Sequence, residues 1–272
     1  MTEPSAALRM LRPGSAGVPL VLVGEEKFAA LTTLLTADFP VHGLRIAASG
    51  REAQATDVAG LAMHGLTALR AVQPQGPYRL IGYSFGGLIA YEMACQLVRD
   101  GQAVRLLGLL DTPNPRFHQQ LSAEEARSVR AMYLADRRRK YLQTLRSGRL
   151  DRLGADALRF LARRLRPFTA ALTAALARRG GGAATAALDI HTLWHAYAPG
   201  NYGGDMLLIR AEGRDGEFGS DATMGWQRCV SGAIRVEYSR GLHEDMLQPP
   251  YVASLAARLD PWLAATGGGN DA

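Results

Sequence analysis

The segment Gly82-Tyr83-Ser84-Phe85-Gly86 is a G-x-S-x-G pattern. It directly follows the strand-like run Tyr78-Arg79-Leu80-Ile81 and directly precedes a helix-like stretch beginning near Phe85. That strand–turn–helix setting is what gives the pattern the meaning of a nucleophile elbow, with the serine exposed at the upper edge of a sheet. Small residues at 82 and 86 allow two backbones to approach closely at the sharp turn. A serine hydroxyl is a weak nucleophile and needs a base to take its proton. The chain order that accompanies such an elbow is serine, acid, histidine. Of six histidines, only His243 lies between the last strand candidate and the closing helix, in Gly241-Leu242-His243-Glu244-Asp245-Met246-Leu247. His42 falls in a strand candidate, His64 in a helix, and His118, His191 and His195 in a long intervening block. His243 is therefore the expected general base and, later, general acid. The acid that fixes its tautomer has two candidate positions. Asp111 ends the apolar run Leu106-Leu107-Gly108-Leu109-Leu110, while Glu212, Asp215 and Glu217 follow the later run Met206–Arg210. A carboxylate held rigidly at the carboxyl end of a central strand favours Asp111.

Elements able to position these residues are readable from periodicity. Short apolar runs suited to buried parallel strands occur at Pro19–Val23, Val41–Ile46, Tyr78–Tyr83 and Val104–Leu110. Helix-like stretches at Lys27–Leu35, Asp57–Val72 and Phe85–Arg99 separate them. This alternation predicts an α/β fold whose mostly parallel central sheet carries helices on both faces. After Pro115 the strand pattern stops. An Ala-, Leu- and Arg-rich block follows, with helical spacing at Leu145, Leu153, Leu158, Leu161 and Leu165 and a break at Gly180-Gly181-Gly182. Strands return at Met206–Arg210 and Ile234–Tyr238, and a last amphipathic helix spans about Tyr251 to Leu263. The expected organisation is one discontinuous core, 17–112 and 204–266, with a helical insertion at 113–203 and flexible termini at 1–16 and 267–272. A helical block inserted there is expected over the carboxyl ends of the strands, as a lid.

Taken together, Gly-Pro-Tyr-Arg-Leu-Ile-Gly-Tyr-Ser-Phe-Gly-Gly at 76–87, Asp111, Gly225-Trp226 and the Gly-x-His-x-x-Met-Leu block at 241–247 resemble a known family. They are similar to the thioesterase domains that terminate nonribosomal peptide synthetases and polyketide synthases. The resemblance covers residues 18–112 and 186–265. It implies an α/β-hydrolase fold with a helical lid, Ser84 as nucleophile, Asp111 as acid and His243 as base. It also implies release of an acyl or peptidyl chain from the phosphopantetheine arm of a carrier protein, by hydrolysis or cyclisation, with no metal or other cofactor. One departure follows the first strand. Where such domains present a His-Pro-x-Gly-Gly-like loop, this chain has Val23-Gly24-Glu25-Glu26-Lys27. The expected oxyanion donors are the backbone N–H of Phe85, at a helix N-terminus, and that of Glu25.

Composition sets the wider bounds. The chain has 272 residues, 47% hydrophobic and 21% charged, which excludes a largely disordered protein. Its apolar runs are too short to span a bilayer, no secretory signal pattern is present, and two cysteines make no disulfide framework, so a cytoplasmic protein is expected. Cys95 and Cys229 read as small buried residues. The net charge of +6 is unevenly placed: residues 121–180 hold fifteen Lys or Arg against five Asp or Glu, a local +10. Such a block attracts an acidic partner. With the family resemblance, that partner is an acidic acyl or peptidyl carrier protein docking on Arg137, Arg138 and Arg139. Nucleic acid is disfavoured, because the block lacks interleaved aromatics for stacking. Rival readings are an editing thioesterase or acyltransferase on carrier-bound chains, a general carboxylesterase, and a non-catalytic docking module.

Overall fold

The computed structural model describes residues 8–15, 17–46, 57–146, 189–212 and 217–266. Its strands are β1 (Leu8–Arg12), β2 (Leu20–Val23), β3 (Val41–Leu44), β4 (Tyr78–Tyr83), β5 (Val104–Leu110), β6 (Met206–Ala211) and β7 (Ile234–Ser239). The described α-helices are α1 (Ala29–Leu34), α2 (Val58–Val72), α3 (Phe85–Arg99), α4 (Ala123–Arg146), α5 (Ile190–Ala196) and α6 (Val252–Ala265). All seven strands join one sheet in the order β1-β3-β2-β4-β5-β6-β7. Every pairing is parallel except β1 with β3.

The central strands are largely apolar because both faces of the sheet are covered, the buried Arg79 of β4 being an exception, and alternate residues feed two cores. Val21, Val23, Leu80, Leu107, Leu109 and Leu208 pack with α2 and α3 on one face. Leu20, Leu22, Ile81, Leu106, Leu110, Leu207 and Ile209 pack with α1 and α6 on the other. β4 and β5 are thereby fixed at the centre of the sheet, and their carboxyl ends carry Ser84 and Asp111.

One sequence expectation is corrected. Leu8–Arg12, placed in a flexible terminus at 1–16, is the antiparallel edge strand β1. Leu8 is buried, and the Arg12 guanidinium donates to the backbone carbonyls of Leu35 (2.6 Å) and Ala37 beyond α1. A register shift between Met10 and Arg12 breaks the alternation of inward and outward side chains. The period-2 pattern that marks other strands is therefore lost in its sequence.

Between β5 and β6, the described residues form a short 3-10 turn at Phe117–Gln119, then α4 and α5. α4 begins with a reciprocal capping box: the Glu125 N–H donates to Ser122 Oγ (3.2 Å), and the Ser122 N–H donates to a Glu125 carboxylate oxygen (2.6 Å). Arg228 pairs with Glu125 at 3.1 Å, tying this end of α4 to the core. Leu153, Leu158, Leu161, Leu165 and the break at Gly180–Gly182 lie outside the described residues, as does Asp215. Among the described residues, no helix is long and apolar enough to cross a membrane.

Candidate active site

Strand β4 ends at Tyr83 and α3 begins at Phe85, so Ser84 alone makes the turn. Its backbone has φ 53° and ψ −120°, a conformation a non-glycine residue adopts only when its surroundings impose it. Those surroundings are tight. A Cβ at Gly82 would come within 2.3 Å of the Gly86 carbonyl oxygen, and one at Gly86 within 2.3 Å of the Val23 carbonyl oxygen. The Ser84 N–H donates to Leu110 O (3.0 Å), and the Thr112 hydroxyl lies 3.1 Å from Ser84 O. A serine at a helix N-cap ordinarily hydrogen-bonds its own first turn. Here the Ser84 side chain makes no capping bond. Its Oγ is instead 3.1 Å from His243 Nε2.

Asp111 follows the last residue of β5, also with positive φ (45°), and is fully buried. Its carboxylate is bound at both oxygens. Oδ1 accepts the Ala211 N–H from the end of β6 (3.0 Å), and Oδ2 lies 2.6 Å from His243 Nδ1. His243 sits on the loop between β7 and α6, anchored beyond it by buried Met246 and Leu247. Its side chain is 30% exposed. Ser84, His243 and Asp111 are thus joined in one hydrogen-bonded line, although the last two stand 132 positions apart in the chain.

The other expected residues fall as follows. Phe85 opens α3, so its N–H is one of the donors that a helix start leaves without an intrahelical acceptor. Glu25 opens a 3-10 turn, Glu25–Lys27, directly after β2. The preceding Gly24 N–H is already committed to Leu44 O (2.8 Å). Glu212 is exposed, and its N–H donates to Ser239 O (3.0 Å); the carboxylate that meets His243 is that of Asp111. Arg137, Arg138 and Arg139 are exposed on α4, with Arg139 paired to Asp136 (2.6 Å) and Arg137 over the Tyr133 ring. Cys95 and Cys229 are buried free thiols. Burial, reinforced by Glu92, pushes the Cys95 thiol up to about 12, and burial raises Cys229 too. Neither suits nucleophilic work, which needs a thiolate.

Two supporting residues escaped sequence reasoning. Thr112, which no motif singles out, has its hydroxyl 3.1 Å from both Ser84 O and Leu110 O, and its carbonyl accepts Trp226 Nε1–H (2.7 Å). Tyr83, the unspecified residue of the G-x-S-x-G pattern, stacks on the His243 ring. The Gly225-Trp226 pair was the one available signal for the first; nothing local marks the second.

Comparison with known proteins agrees with this architecture. A family model described as the thioesterase domain matches residues 17–263, and the chain belongs to that family. The dimodular nonribosomal peptide synthase of Bacillus subtilis (strain 168) is 28% identical over 242 residues, 84% of this chain and 9% of that protein. Vanchrobactin synthetase VabF of Vibrio anguillarum is 39% identical over 90 residues, 33% of this chain and 3% of that protein. The chain therefore spans a small part of each synthetase. Among solved structures, the NocB thioesterase domain in covalent complex with a fluorophosphonate nocardicin G analog superposes with a TM-score of 0.62 at 23% identity. That match covers 95% of this chain and 100% of NocB. The wild-type Vlm2 thioesterase domain gives 0.55 at 20% identity, covering 93% and 96%. The fold is that of the α/β-hydrolases.

Proposed function

We propose that the protein takes an acyl or peptidyl chain from the phosphopantetheine thioester of a carrier protein onto Ser84 and then releases it. The observation that carries this reading is the line Ser84 Oγ–His243 Nε2 (3.1 Å) and His243 Nδ1–Asp111 Oδ2 (2.6 Å) on a thioesterase-family fold. Ser84 Oγ attacks the thioester carbonyl as His243 Nε2 takes its proton, with Asp111 holding the Nδ1–H tautomer and stabilising the imidazolium. The C–S bond breaks, the proton passes from Nε2 to the departing thiol, and an acyl-Ser84 ester remains. Water, or a hydroxyl or amine of the same chain, then attacks the ester with His243 again as base. Its products are the free acid or a ring, and Ser84 is regenerated. The Phe85 and Glu25 N–H groups stabilise the tetrahedral oxyanion, the first aided by the α3 dipole. No metal or redox cofactor enters these steps. The insertion at 113–203, of which residues 147–188 lie outside the described residues, is read as the lid of this site.

The basic face of α4 receives the acidic carrier. Reversing charge at Arg137, Arg138 and Arg139 together (each to Glu) should lower kcat/KM for a carrier-bound thioester about 10- to 100-fold, mainly through slower association. A free acyl-pantetheine thioester should be turned over as by the wild type. An equal loss on both substrates counts against docking on α4. Preference for an oxygen ester over the pantetheine thioester would count against the whole reading and favour a general carboxylesterase.

A further inference from the structure

We propose that Tyr83 is a positioning residue for the base, holding the His243 imidazole and its loop to the same turn that presents Ser84; this rests on the reading of His243 as base. Tyr83 is the last residue of β4 and shares the face of Ile81, so its ring packs against the core beneath α1 and α6. From there it reaches the His243 loop in two ways. Its hydroxyl donates a hydrogen bond to the His243 carbonyl oxygen, fixing the backbone of the base. Its ring lies against the imidazole with centroids 4.9 Å apart and planes 25° from parallel.

The imidazole needs this second restraint. Asp111 and Ser84 hold its two nitrogens along one line, which leaves the ring free to rock about that line. The histidine χ2 torsion is intrinsically broad, so rotamer preference does not stop it. His243 also lies on a loop between β7 and α6, so regular secondary structure does not hold it. The local turn bonds, from the Asp245 and Met246 N–H groups to Leu242 O, fix the backbone after the histidine without touching its ring. A flat aromatic surface against the imidazole blocks the rocking motion, and the hydroxyl bond sets its height above the elbow. Because Tyr83 and Ser84 are consecutive, any shift of the elbow carries nucleophile and base support together.

The test is a double-mutant cycle on a small acyl-pantetheine thioester, measuring kcat and KM for Tyr83→Phe and Tyr83→Leu in the wild type and in His243→Ala. Tyr83→Phe keeps the ring and should lower kcat about 10-fold. Tyr83→Leu loses both contacts and should lower it about 100-fold, the scale of a misplaced catalytic group. KM should stay within about 2-fold in both, since uniform substrate binding is untouched. In the His243→Ala background neither change should alter the residual rate, because the group being positioned is gone. Wild-type kcat in both single variants would overturn the proposal, and so would equal losses with and without His243. Wild-type turnover by His243→Ala alone would instead remove the base on which the proposal stands. Should Tyr83→Leu fold poorly, Tyr83→Phe decides alone.

Discussion

His243→Ala should lower kcat on a pantetheine thioester by about 10⁵- to 10⁶-fold while leaving the fold intact, the scale seen when a serine hydrolase loses its base. The expectation follows from the position of the ring. His243 Nε2 is the group 3.1 Å from Ser84 Oγ, and among the described residues no other histidine hydrogen-bonds Ser84: His42 is buried in β3, where burial lowers its pKa, and the His191 and His195 rings meet on α5. An alanine at 243 leaves Ser84 with its strained turn and helix terminus but without a proton acceptor. The ring is only 30% exposed and is a partner of the buried Asp111 carboxylate, so the melting temperature should fall by a few degrees, far too little to account for the loss of rate. Steady-state turnover and a thermal melt, run side by side, check both halves. A loss below about 100-fold would place the proton elsewhere.

Asp111→Asn should cost about 10⁴-fold in kcat, the effect of a wrong tautomer rather than of lost packing. The geometry explains why the amide cannot adapt. Oδ1 of Asp111 accepts the Ala211 N–H, so the asparagine oxygen is held on that side and its NH₂ must face His243 Nδ1. Nδ1 then becomes an acceptor and the ring proton moves to Nε2. A protonated, neutral Nε2 cannot take the serine proton. Because asparagine keeps the volume of the buried carboxyl, stability should change far less than rate. NMR of the imidazole nitrogens should report the tautomer switch directly. Near-normal turnover would shift the acid to the carboxylates after β6, Glu212, Asp215 or Glu217.

Much of this arrangement is visible in the chain before any coordinates. Strands buried on both faces are mostly apolar runs, so β2 through β6 stand out, and the edge strand β7 shows by its alternating Ile234, Val236 and Tyr238; their ends move by at most two residues. The elbow is legible because its glycines answer to local sterics. His243 is legible by its place after the last strand, which topology alone dictates. What escapes is non-local or irregular. β1 hides because a bulge spoils its alternation and its Arg12 serves the carbonyls of Leu35 and Ala37 beyond α1. Tyr83 carries no mark of its role, since the loop it grips lies 160 residues away. Thr112 matters only once β5, the elbow and Trp226 have met in space.

The central claim is that Ser84 becomes covalently acylated. Intact-mass measurement followed by peptide mapping, after brief mixing with an acyl-pantetheine thioester, tests it directly. One acyl mass should appear on the peptide containing Ser84 in the wild type and vanish in Ser84→Ala, together with turnover. An acyl group mapped to another residue, or undiminished turnover by Ser84→Ala, would contradict the account.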